Sequence, residues 1–165
     1  MPKPMPLSQF LSAPAVSAAA AVPAPTLGVL PVGAAEFSGV RSRIPADYRA
    51  REVRGRRMRT VAEVFDEFAA AFQFPYYFGE NKDAFDECLR DLDEFIGSAA
   101  GYVVVVRNAA LLLDEQPEDR DWFAEAMADA AAAWAKRGIA FRVVLQDAVP
   151  PGLEAVPLTL DAPSA

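Results

Sequence analysis

The sequence predicts an α/β domain: a small parallel sheet with helical cover. Three observations carry this. Strand-length apolar runs occur at YRAREV (48–53), YVVVV (102–106) and IAFRVVL (139–145). The stretches between them repeat apolar residues at helical spacing. Buried-type strands joined by helix-length connections run parallel, because such neighbours need a crossover. The order is β-α-α-β-α-β within a chain of 165 residues. That length suits one domain with additional sequence at its ends.

Each element has a local reason. YRAREV alternates as a strand does, and RGRR (54–57) is a polar turn around Gly55. Thr60 stands three residues before Glu63, a capping-box spacing in which hydroxyl and carboxylate satisfy free backbone N–H groups. Val61, Val64, Phe65, Phe68 and Phe72 then share one helix face, and Pro75 limits the helix. A second helix is predicted from about Lys82 to Phe95, burying Ala84, Phe85, Cys88, Leu89, Leu92 and Ile96, with Gly97 as its stop. The β-branched run YVVVV predicts a strand covered on both faces. A third helix, from about Pro117 to Arg137, turns Trp122, Phe123, Ala126, Met127, Ala130 and Trp134 inward, and Gly138 closes it.

The ends differ in composition. Residues 1–26 are rich in Ala, Pro and Ser and are expected to form a disordered tail. Residues 27–47 form an N-terminal extension that could add an edge strand. Residues 48–147 form the regular domain, and residues 148–165 a Pro-rich C-terminal tail.

Charge narrows the function. The formal net charge is −7 and His is absent. Phosphate backbones repel such a chain, so a basic protein partner is favoured over nucleic acid. The lack of His removes the usual general base and the commonest metal ligand. Cys88 is the single cysteine, which fits a cytoplasmic setting without disulfides. No apolar run reaches bilayer length, so no membrane association is expected. The N-terminus carries only Lys3, and Pro, Ser and Gln interrupt its apolar stretch; it does not read as a secretion signal. Arg41, Arg43, Arg49, Arg51, Arg54, Arg56, Arg57 and Arg59 crowd residues 41–59, whereas residues 60–99 hold ten acids against Lys82 and Arg90. An acidic face built on the second helix and its leading loop follows.

The stretch FPYYFGENKDAFDECL (74–89) concentrates the candidates. Phe74 suits the core. Gly79 is expected to supply a turn with positive φ. Asn81 and Asp83 suit a helix start, where side-chain oxygens accept backbone N–H bonds and negative charge suits the dipole. A helix start does not explain two adjacent tyrosines. Nor does it explain acids continuing to Asp86 and Glu87, since like charges one turn apart cost about 0.2–0.5 kcal/mol per pair. An acidic patch rimmed by aromatics suits a basic cleft. Asp83 and Glu87, one turn apart, could instead perform acid–base chemistry, but an exposed helix pair is ordinarily a solvated face. The same acids lack the ligand spacing of a calcium loop. Cys88 falls on the apolar face without a base beside it. The RGRRMR cluster fits a solvated turn better than a phosphate site.

Residues 75–89 closely resemble the barstar family of intracellular ribonuclease inhibitors: a proline and aromatics, then Gly79-x-Asn81-x-Asp83-Ala84, then an acid and an apolar residue one turn on. The resemblance extends over about residues 48–146. It implies a three-stranded parallel sheet packed with helices and a non-enzymatic activity without cofactor. That activity is occlusion of a basic ribonuclease-type toxin by the second helix and its loop, as an antitoxin or immunity protein of bacterial type does. A monomer when free is expected. It places Tyr77, Gly79, Asn81, Lys82, Asp83, Asp86 and Glu87 at the partner-binding face, with Tyr77 at the contact tyrosine and Asp83 at the first key aspartate. Glu87 stands where the family's most important position is usually aspartate, Asp86 where tryptophan is frequent, and Lys82 where the residue is apolar or aromatic. These departures make a non-nuclease basic partner the alternative.

Overall fold

The computed structural model describes residues 3–13 and 25–160. Six strands lie in chain order: β1 (Met5–Pro6), β2 (Leu27–Leu30), β3 (Tyr48–Arg54), β4 (Gly101–Arg107), β5 (Ala140–Gln146) and β6 (Val156–Thr159). They form one sheet in the order β1-β6-β2-β5-β4-β3, with every pair parallel. The helices are α1 (Leu7–Phe10), α2 (Ala34–Phe37), α3 (Val61–Phe72), α4 (Lys82–Arg90), α5 (Leu92–Ile96) and α6 (Arg120–Ala135). The predicted α/β class and parallel sheet hold, but the sheet has six strands rather than three.

The valine run explains the larger sheet. Side chains of a strand alternate between faces. Tyr102, Val104 and Val106 pack under α3, α4 and α6 with Phe68, Phe85, Phe123 and Trp134. Val103 and Val105 point the other way, where Leu7, Phe10, Leu11, Leu30, Phe37 and Val40 form a second core with Val144 and Leu158. Burying each such side chain contributes about 1.5–3 kcal/mol. A sheet of three strands with helices on one side would leave that second face in water.

The cover comes from the ends of the chain. Within the stretch expected as a disordered tail, residues 3–13 instead carry β1 and α1, with Leu7, Phe10 and Leu11 buried. Residues 14–24 lie outside the described residues. β2 is interior rather than at an edge, lying between β5 and β6. The C-terminal stretch contributes β6, beside β2 and β1. Arg142, 4 % exposed, clips the layers together. Its guanidinium donates to the carbonyls of Phe10 (2.9 Å), Phe141 (3.0 Å) and Ser12 (3.3 Å). The Tyr48 hydroxyl donates to Leu11 O beside it.

The local signals act as expected at α3. Glu63 N–H donates to the Thr60 hydroxyl at 3.2 Å, and the Glu63 carboxylate accepts Arg59 N–H at 2.8 Å. The expected second helix is two, broken at Asp91. In a continuous helix Leu89 O would accept from the residue four ahead; here the Trp134 indole donates to it at 2.8 Å.

Candidate functional site

The loop 73–81 and α4 present the predicted residues. Gln73 ends α3 in the left-handed region, and Phe74 N–H returns to Ala69 O. Phe74 and Phe78 then turn inward. Their rings lie 5.2 Å apart, and Phe78 meets Phe65 edge-on at 5.8 Å. Of the three residues between them, the two tyrosines point away from that cluster: Tyr76 is 100 % and Tyr77 71 % exposed. Their rings meet edge-on at 5.6 Å. The sequence drew attention to both tyrosines, and the family resemblance carried over only Tyr77.

Gly79 serves differently from its expected role. The positive φ in this turn belongs to Glu80, at 49°. A Cβ on Gly79 would sit 2.8 Å from Asn81 Nδ2, so the missing side chain makes room for the cap. Asn81 Oδ1 accepts Ala84 N–H at 2.8 Å, and its Nδ2 donates to Gly79 O at 3.2 Å. One side chain thereby fixes the loop and starts α4.

The acids on α4 are unequal. Asp83 and Glu87 are exposed, and among the described residues neither is held by an ion pair or side-chain hydrogen bond. Asp86 is half-buried, and its Oδ1 is enclosed without a partner. Burial pushes its carboxyl above the usual range; Arg90 opposes this, while Asp129 and Asp83 add to it. Lys82 turns to Asp119, bonding at 2.9 Å, and its ammonium lies 5.1 Å above the Trp122 ring. It is thus tied to the turn before α6, a destination the sequence did not indicate. Cys88 is buried, and burial, with Asp91 and Glu87 nearby, pushes its thiol up to about 11. A thiol held protonated is a poor nucleophile. Among the described residues, no three His, Cys, Asp or Glu side chains gather as a metal-binding group.

Tyr77, Asn81, Asp83 and Glu87 therefore lie exposed on one loop–helix unit, with Asp86 partly withdrawn and Lys82 tied aside. Residues 48–146 match the family model described as Barstar (barnase inhibitor). The chain belongs to the barstar family. The barstar match starts at the first residue of β3 and stops at the last of β5. It encloses the acidic loop–helix unit and the helix-side core except Leu27 and Leu153, but β1, β2, β6, α1 and α2 lie outside it. Comparison with curated proteins gave no match.

Proposed function

We propose that this barstar-family protein inhibits a basic ribonuclease-type toxin by laying α4 and the loop before it over the toxin's active site. The observation that carries this is that Asp83 and Glu87 are exposed and uncommitted beside two exposed tyrosines. Carboxylates without internal partners are available to a cationic cleft, where they would take the place of substrate phosphates. The tyrosines add rigid contact area at low entropic cost. A single cysteine kept as a buried free thiol suits a cytoplasmic setting, where such a protein would protect its own host.

Titration against a barnase-type ribonuclease, read as lost RNA cleavage and as a calorimetric Kd, tests this. Asp83→Ala and Glu87→Ala are each expected to weaken binding roughly thirtyfold or more, with association slowing as salt rises. Unchanged binding in both variants would sink the proposal. The half-buried Asp86, where the family often has an aromatic, favours a second reading in which the same face meets a basic partner that is not a nuclease. A variant panel that alters binding to no ribonuclease while host capture returns a non-nuclease would support that reading.

A further inference from the structure

The Arg-rich strand β3 takes no part in the acidic face. Among the described residues it ends the sheet, paired with β4 alone. Backbone groups of successive strand residues point to opposite sides. Asp47 O accepts Ala100 N–H on the β4 side. Alternation then turns the N–H and C=O groups of Ala50 and Glu52 outward. Both ends of this stretch are closed: Tyr48 N–H donates to Pro45 O, and Arg54 N–H to the Glu67 carboxylate at 2.9 Å. A short open edge remains.

Its surroundings are positive. Strand alternation puts Arg49 and Arg51 on the side of buried Val53, Arg41 lines a small hollow with Ala50, Arg51 and Val105, and among the described residues none of the three arginines is ion-paired. The Nε of Arg51 is buried without an acceptor. Two nearby carboxylates are already engaged, Glu52 with Arg107 and Glu67 with Arg54, while Asp47 lines a hollow with Arg49 without an ion pair. A hollow of about 350 Å³ runs from Glu52 and Arg54 to Ala70 and Ala71 of α3, giving lateral room.

We propose that the β3 edge docks an extended acidic segment of a partner protein, which adds to the sheet beside Ala50 and Glu52 and places its carboxylates on Arg49 and Arg51. Edge addition supplies main-chain bonds, and side chains at alternate positions supply specificity. The same arginines exclude a second copy of this chain, because β3 against β3 would oppose like charges. A polynucleotide would satisfy the arginines but leave the backbone edge open.

The test uses the full chain, isotope-labelled, titrated with a short peptide alternating glutamate and valine. Shifts centred on Ala50 and Glu52, with slowed exchange of those two amides, are expected. The double reversal R49E/R51E should weaken the peptide roughly tenfold and accept the lysine-for-glutamate version instead. Asp83→Ala should leave the peptide's affinity unchanged. Equal binding of the lysine peptide by the native chain would overturn the proposal. So would shifts centred away from β3, tighter binding of a single-stranded oligonucleotide, or no response.

Discussion

Arg142→Met should release the N-terminal segment from the sheet. Ordering Met5–Ser12 costs about 1–2 kcal/mol per residue, or about 8–16 kcal/mol in all. Burial of Leu7, Phe10 and Leu11, each at most 2 % exposed, returns about 5–9 kcal/mol. The remainder has to come largely from polar anchoring. The Arg142 guanidinium holds Phe10 O and Ser12 O, and hydrogen bonds from a charged group contribute about 1.5–3 kcal/mol each. Burial of the cation works against this, and it depresses the pKa of Arg142. Methionine fills similar space, ends that penalty and leaves the carbonyls unpaired. The net expectation is a loss of about 3 kcal/mol, which for a domain of this size lowers Tm by about 6–12 °C. Hydrogen exchange read by mass spectrometry should show protection lost over residues 5–12 while α3 and α6 stay protected. Arg142→Lys should recover only part, because an ammonium cannot reproduce the planar fork. Native protection over residues 5–12 together with an unchanged Tm in Arg142→Met would refute the reasoning.

Other perturbations probe single groups. The Cys88 thiol, pushed up to about 11 from 9.0 by burial, should resist iodoacetamide at neutral pH in the folded chain and react once urea unfolds it. Because the folded value is the higher one, its contribution to stability should be present below pH 9 and fade as pH rises toward 11. Burial alone would raise the Glu67 carboxyl, but its hydrogen bonds from Arg54 outweigh this and lower it below 4.5. Glu67→Gln should therefore reduce Tm at neutral pH, with the gap to wild type closing as pH falls below 4.5. Asp86→Asn should raise Tm at neutral pH, since ionised Asp86 is penalised by its burial. That gain should vanish in acid, where the native side chain is protonated.

Much of the site was legible because its signals are short in range. Asn81 caps α4 through a contact three residues away, and Asp83 and Glu87 stand one turn apart on an exposed face whatever surrounds them. The failures at the site were cross-chain effects. Lys82 finds Asp119 thirty-seven residues on, and Asp86 is half-buried and feels the negative charge of Asp129 of α6. Gly79 does not supply the positive φ expected of it. Its need is for space beside Asn81, and no propensity rule distinguishes crowding by a neighbour from a left-handed turn.

The sequence by itself determined the strand–helix order of residues 48–146, the capping of α3 and α4 and the acidity of α4. Each follows from periodicity or hydrogen bonding within a few residues. The continuous valines of β4 even required that something cover both faces. What covers the second face was decided only in three dimensions. Leu27 pairs with Val143, Met5 with Leu158, and Phe10 reaches Arg142 across 132 residues. Such pairings have no local signature. Leu7, Phe10 and Leu11 look like isolated apolar residues in a polar-small stretch until the sheet supplies the surface that buries them.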